Sequence, residues 1–227
     1  MGILRVISES SVAFRDRAEA GELLAKELEA YRSSNVVVLC IPRGGIIVGS
    51  LIAESLEADL DIVLSHKLSA PMNPELAIGA VCEDGTLFVN NKTASMAGTD
   101  KGYIEEEKRR QLEEISHKVE RYRQALPKLE INGKVAIVTD DGVATGATMQ
   151  AALWAVRQEN PEKIVAAIPV GPIDTVNELC KDADETIILR TPIFFEALGR
   201  FYVHFEQVEE ETVLEILERE RQRRVGV

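Results

Sequence analysis

The residues best equipped for chemistry stand together at 139–148, Thr139-Asp140-Asp141-Gly142-Val143-Ala144-Thr145-Gly146-Ala147-Thr148. Two adjacent carboxylates end an apolar run, and a loop of small residues and hydroxyls follows before a helical pattern begins. Small residues let a ligand approach the backbone closely. Amides at a helix start point outward with partial positive charge and suit a phosphate, and Thr145 and Thr148 add hydroxyl donors. Carboxylates beside such a cradle accept hydrogen bonds from vicinal sugar hydroxyls, as an acidic residue does in dinucleotide folds. Asp140 and Asp141 with the loop Ala144, Thr145, Gly146, Ala147, Thr148 therefore suit a ribose 5-phosphate. A Walker loop needs a terminal Gly-Lys-Ser/Thr and a dinucleotide loop needs G-x-G-x-x-G after the first strand; the sequence has neither.

The elements around this loop must hold it at a sheet edge. Residues 134–139 (KVAIVT) read as a strand and 149–158 as a helix; strands at 163–170 and 186–189 flank a helix that starts near 174. Upstream, 15–31 has amphipathic spacing. The run VVVLCI at 36–41 is a buried strand closed by Pro42-Arg43-Gly44-Gly45, 46–56 a helix and 61–65 a second strand. Strands alternating with helices predict an α/β fold, an open, mostly parallel twisted sheet with helices on both faces. Between the halves, 77–82 and 86–89 form strands around Asp84-Gly85, and 103–126 is a long charged helix. Its stripe Leu112, Ile115, Val119, Tyr122, Leu126 has two readings, a helix lying on its own domain or a seam for a partner helix in a homodimer.

Composition narrows the function classes. Against 26 basic residues stand 38 acidic ones, a formal net charge of −12, which repels phosphate backbones and argues against nucleic-acid partners. The cluster Arg219, Arg221, Arg223, Arg224 alternates with acids and reads as a solvated helix end. No apolar stretch approaches the roughly 20 residues of a membrane span, and no secretory leader is expected. Cys40, Cys82 and Cys180 lack ligand spacing and suit inert thiols in a reduced, cytoplasmic protein.

The segment AIVTDDGVATGAT resembles the phosphoribosyl-pyrophosphate (PRPP) signature of type I phosphoribosyltransferases, although Thr139 and Gly142 stand where apolar residues are commoner. KLSAPMNPELAIGAVCEDG resembles a bacterial and archaeal subgroup of that family with no assigned acceptor, and the likeness extends over most of the chain. The resemblance implies one phosphoribosyltransferase-like domain over 1–227, with a helical insertion at 91–130 and a C-terminal hood at 191–205. It implies Mg²⁺-dependent transfer of a phosphoribosyl group from PRPP to a nitrogen acceptor, with release of pyrophosphate. The metal would enter with PRPP, near Asp140 and Asp141, and no protein-held metal is expected.

Carried over position by position, the resemblance makes Asp140, Asp141 and Lys67 catalytic and gives residues 144–148 the 5-phosphate. Arg43, Gly44, Gly45 and Lys67 would bind pyrophosphate, with Lys67 at the end of the second strand. Residues 69–75 would be a mobile catalytic loop. In the hood, which holds five of the chain's eleven aromatics, Phe194, Phe195 and Tyr202 would stack on a planar acceptor; the same rings could equally close a small core. Ala144 occupies the position where hypoxanthine–guanine enzymes carry an acid, which leaves a purine general base unassigned, and His66 is the histidine able to reach the site. The competing class is a non-catalytic PRPP sensor. Hydrolysis of a sugar phosphate at the same cradle ranks last.

Overall fold

The structure is a computed structural model that describes residues 2–32 and 35–226. In chain order β1 (Ile3–Ser8), α1 (Arg17–Glu27), β2 (Val36–Cys40), α2 (Gly45–Leu56) and β3 (Asp59–Ile62) come first. A central segment follows with β4 (Ser65–Ala70), β5 (Asn73–Cys82), β6 (Leu87–Val89), α3 (Asn91–Met96) and α4 (Lys101–Ala125). The chain then alternates through β7 (Val135–Thr139), α5 (Ala147–Gln158), β8 (Lys163–Val170), α6 (Ile173–Leu179) and β9 (Glu185–Arg190), and α7 (Glu210–Val225) comes last.

Strands β1, β9, β8, β7, β2 and β3 pair in that order, all parallel. Both faces of the central strands are covered, so β2, β7 and β8 are almost continuously apolar. Along β2, Val36, Val38 and Cys40 pack with α1, α2 and α7 on one face. Val37 and Leu39 pack with α5 and α6 on the other. The chain winds outward from β2 to β3 in one direction and from β7 through β8 and β9 in the other. The strand order therefore reverses between β2 and β7, where open α/β sheets bind ligands beyond the carboxyl ends of their strands.

The central segment builds a separate antiparallel sheet, β4-β5-β6. Ala77, Ala80 and Phe88 pack it on α5 through Ala151 and Trp154, and Leu68, Ile78 and Val81 pack it toward α3 and α4. Here the structure departs from the sequence reading in two ways. First, residues 69–75 are not an open loop: the two strands extend into them, leaving Pro71-Met72 as the hairpin tip. Second, His66 and Lys67 belong to β4, which pairs with β5, and not to the end of β3. For the α4 stripe the structure supports the first of its two readings, a helix lying on its own domain. Ile115, Tyr122 and Leu126 are buried within the chain, and Leu112 and Val119 pack against its cores.

Strand β1 was not anticipated, because its exposed edge carries a mixed pattern without alternation. The basic cluster on α7 is also more than a solvated end, since Arg223 and Arg224 both pair with the buried Glu220. Cys40, Cys82 and Cys180 are free and buried. Burial pushes the Cys82 thiol up to about 12, which keeps it protonated and inert. Among the described residues no helix is long and apolar enough to cross a membrane.

One buried ion network pins α4 to the main sheet. Arg123 donates to Asp61 Oδ1 at 2.6 Å, to both Glu83 oxygens at 2.7 and 2.9 Å, and to the Ile62 carbonyl at 3.0 Å. Asp61 is fully enclosed and also accepts the Leu129 amide at 2.8 Å. Removing the cation strands two carboxylates in a poorly solvated site. Arg123→Ala should therefore cost about 3–5 kcal/mol in urea denaturation. Arg109→Ala, which breaks the exposed i,i+4 pair with Glu113, should stay within about 0.5 kcal/mol. Equal costs would show that Arg123 is not the anchor.

Candidate active site

Neighbouring strands β2 and β7 deliver two loops side by side. Cys40 pairs with Thr139, and the Ile41 amide continues the ladder to the Thr139 carbonyl at 2.9 Å. Beyond that point Pro42-Arg43-Gly44-Gly45 leads into α2, and Asp140 to Gly146 leads into α5. The loops touch so closely that a methyl group on Gly44 would lie 2.0 Å from Asp141 Oδ2, and one on Gly45 would lie 2.8 Å from Asp140 Cα. Only glycine allows that approach.

Helix starts differ in a way that bears on ligand binding. Asp16, Asn90 and Asp100 cap α1, α3 and α4 with their side chains. By contrast α2 and α5 begin behind Gly44 and Gly146 with no side-chain cap, as do α6 and α7 behind other residues. Gly146 has φ +76°, a left-handed conformation that suits glycine and turns the first α5 amides outward. Thr175 Oγ1 braces this loop from below with a 2.9 Å bond to the Ala144 carbonyl.

The two carboxylates sit in unlike environments. Asp141 Oδ2 forms a 2.8 Å ion pair with Arg17 Nε, and both side chains are nearly buried. Arg17 in turn lies 4.0 Å over the Phe205 ring and donates to the Glu206 carbonyl at 2.8 Å. Tyr202 donates its hydroxyl to the Asp141 carbonyl at 2.5 Å. Among the described residues Asp140 has no such ion pair; its Oδ1 accepts the Asp141 amide at 2.8 Å. Its enclosure, and next the charge of Asp141, push the Asp140 carboxyl well above the usual carboxylate range.

A cleft of about 270 Å³ opens beside these loops, bounded by Pro42 and Arg43, by Ser65, His66 and Lys67 of β4, by Thr148 of α5 and by α4. Helix α4 presents one face to it: Gln111, Ile115, Lys118 and Tyr122 recur at helical spacing along the wall. Arg43, Lys67 and Lys118 give this wall three cations in a chain of net charge −12. The same α4 face continues toward the hairpin, where Tyr103 donates to the Ser69 carbonyl at 2.8 Å and Gln111 meets His66 Nδ1 at 2.9 Å.

Residues 15–199 match the family described as the phosphoribosyl transferase domain. The chain belongs to that family. Two Mycobacterium tuberculosis proteins, each named "Putative phosphoribosyl transferase", are 39% identical to it over 206 residues. That alignment covers 91% of this chain but 46% of the relatives, so the chain spans about half their length. The crystal structure of TT1426 from Thermus thermophilus is 41% identical, with a TM-score of 0.87 over 92% of this chain and 99% of that one.

Within this phosphoribosyltransferase fold, Asp140, Asp141, Arg43, Gly44, Gly45 and residues 144–148 converge on the strand ends. Arg43 is exposed and reaches the side-chain amide of Gln207. Lys67 joins the site from β4. The hood aromatics divide. Phe194 is 84% exposed, and Phe195 stacks on Phe201 at 5.0 Å. Tyr202 is only 5% exposed, with Phe14 at 5.4 Å and Phe205 at 5.0 Å from its ring, so no face is left to stack on a base. Its place is structural, because its hydroxyl holds Asp141. Sequence reasoning missed Arg17, Gln111 and Lys118. Arg17 carried no local signal, whereas the 111–115–118–122 spacing on α4 could have revealed the other two.

The raised Asp140 carboxyl yields a stability test. A native carboxyl that holds its proton more tightly than the unfolded one loses stability as pH rises from the ordinary carboxylate value through its raised value. Asp140→Asn keeps the acceptor oxygen without the charge. Its melting temperature should exceed the parent's by a few degrees at neutral pH, and the gap should close near pH 4. A variant less stable than the parent at pH 7 would contradict this account of the pair.

Proposed function

We propose that the chain transfers the phosphoribosyl group of PRPP to a nitrogen acceptor and releases pyrophosphate. The observation that carries this reading is the placement of two glycine-started, uncapped helices and an acid pair at the switch point between β2 and β7. On this reading residues 144–148 hold the 5-phosphate through backbone amides and the Thr145 and Thr148 hydroxyls. Arg43, Gly44, Gly45, Lys67 and Lys118 hold the diphosphate. Binding energy from these remote phosphates fixes the reacting carbon. Asp140 accepts from the ribose hydroxyls, while Asp141, already paired with Arg17, keeps negative potential beside a sugar carbon that turns cationic as the diphosphate departs. Residues 91–130 act as an insertion that walls the cleft, and 191–205 as a hood whose exposed Phe194 remains for the acceptor.

Among the described residues no group of three or more His, Cys, Asp or Glu side chains is arranged to hold a metal ion. Of the acid pair, Asp140 alone offers a carboxylate outside an ion pair, and its raised proton affinity suits replacement of that proton by a hard cation. This donor set fits Mg²⁺ arriving on the diphosphate, with Asp140 as its protein ligand. Bound there, the ion would neutralise charge on the departing oxygens. Three buried thiols support a reduced, cytoplasmic setting.

Calorimetric titration with PRPP, with and without Mg²⁺, tests the reading. Saturable binding that strengthens with Mg²⁺ is expected. Lys118→Ala should weaken PRPP about tenfold, an effect that shrinks as salt rises. Absence of binding under both conditions would refute the transferase. Binding with no pyrophosphate release against any nitrogenous base would instead identify a sensor.

A further inference from the structure

Outside the phosphate-binding loops, α4 and β4 are joined by a chain of polar side chains whose middle members, Glu107 and Gln111, are buried. Arg110 grips the Glu107 carboxylate with two bonds at 2.7 and 2.9 Å. Glu107 Oε1 accepts from Gln111 Nε2 at 3.0 Å, and Gln111 Oε1 lies 2.9 Å from His66 Nδ1. Glu107 and Gln111 are 6% and 8% exposed, so neither can exchange these partners for water.

The chain has a direction. Burial opposes ionisation of Glu107, but its bonds to Arg110 and Gln111 prevail and hold the carboxyl below its usual range. It is therefore ionised and acceptor-only, which obliges Gln111 to give it the amide protons. The oxygen of Gln111 must then face His66, and an amide oxygen can only accept. His66 is thereby fixed with its proton on Nδ1, which leaves the Nε2 lone pair unprotonated in the neutral ring. His66 itself is part of the cleft wall with Arg43, Lys67, Lys118 and Thr148.

We propose that His66 Nε2 is the proton acceptor of the transfer reaction, and that Gln111 and Glu107 are positioning residues that set its tautomer. The inference rests on the phosphoribosyl-transfer reading. As the nucleophile's lone pair forms its bond to the sugar carbon, the bond from that carbon to the diphosphate oxygen breaks. The electron pair leaves on pyrophosphate, and the proton of the nucleophile passes to Nε2 and later to solvent. The role complements Ala144, which leaves the loop without a carboxylate base. The surroundings keep the ring ready to accept. Burial first, and then Lys118, lower the His66 pKa, while Gln111 and Glu114, whose carboxylate is 3.9 Å from Nδ1, act in the opposite sense. Lys67 on β4 and Arg43 from the β2 loop add further positive charge to the same cleft.

Two measurements on the full chain test this. Long-range ¹H–¹⁵N correlation spectra should show His66 as the Nδ1–H tautomer at pH 7, with a titration midpoint below that of free histidine. Pyrophosphate release from Mg²⁺-PRPP is then followed against pH with water as the probe acceptor, since any nucleophile must lose the same proton. Its acid limb should track the His66 midpoint. His66→Gln should lower the turnover rate about 10²- to 10⁴-fold with PRPP affinity held within about twofold. Gln111→Leu, which removes the acceptor that raises the His66 midpoint, should lower both the midpoint and the acid limb and free the ring to take the Nε2–H tautomer.

An Nε2–H tautomer in the parent, a limb that ignores the shifted midpoint, or no release above background from a protein that binds PRPP would each overturn the proton-acceptor role while sparing the PRPP site. Failure of the parent to bind PRPP would overturn both.

Discussion

The site depends on a close approach. The loop after β2 and the loop after β7 leave adjacent strands, and the carboxylate of Asp141 lies where the β-carbon of any other residue at position 44 would have to be. Two consequences follow from this constraint. Backbone amides beside Gly44 and Gly45 come within reach of whatever the acid pair binds, so one small ligand can span both loops. Two carboxylates are also compressed into poorly solvated space, and that repulsion has to be offset. Arg17 supplies the countercharge to one of them and leaves the other with a raised proton affinity. Arg17 belongs to the cation–ring array that runs from Arg190 over Phe14 through Tyr202 and Phe205. The C-terminal aromatic segment therefore serves first to stabilise the acid pair.

Helix α4 solves a second problem, that of walling a cleft that the parallel sheet leaves open on one side. A helix can do this only if its own position is fixed. Its C-terminal end is held by Arg123 between Asp61 and Glu83, and its N-terminal half is held by bonds from Tyr103 and Gln111 to β4. Between these anchors Ile115, Lys118 and Tyr122 face the cleft. Fixing both ends lowers the entropy lost when Lys118 meets a ligand, because the backbone carrying it is already ordered. It also joins the small antiparallel sheet to the main one, so the wall and the strand ends share one frame.

Much of this was legible in the sequence. The parallel strands were, since strands buried on both faces must be continuously apolar, as 36–41, 134–139 and 163–170 are. The acid loop was, because Asp140-Asp141 followed by small residues has few structural explanations. What stayed hidden depends on long-range partners. The short β1 is half-exposed on a sheet edge and lacks alternation. Residues 69–75 carry Pro71, Asn73 and Pro74, which signal a loop locally, yet pairing across the hairpin extends the strands. Tyr202 shows the limit most plainly: an aromatic near a ligand site and an aromatic in a core have the same sequence signature. Its burial between Phe14 and Phe205 and its bond to the Asp141 carbonyl separate them. Arg17 was invisible for the same reason, being 124 positions from the carboxylate that it neutralises.

The charge distribution reconciles an acidic protein with the polyanionic ligand proposed for it. A net charge of −12 spread over the surface repels extended phosphate polymers, which must contact many surface sites at once. A small phosphorylated sugar senses mainly the local field. Inside a cleft with low-dielectric walls, the cations of Arg43, Lys67 and Lys118 act at short range, whereas surface acids more than about 8–10 Å away are screened by salt. One exclusion in that cleft is informative. Glu107 would be adverse to an anion, but Arg110 neutralises it and its bond to Gln111 keeps it buried. The fold thus keeps a carboxylate close enough to orient His66 through Gln111 and sequestered enough not to oppose the ligand's charge. That separation requires an amide between the carboxylate and the imidazole, which explains in physical terms why a glutamine rather than a second acid stands at position 111.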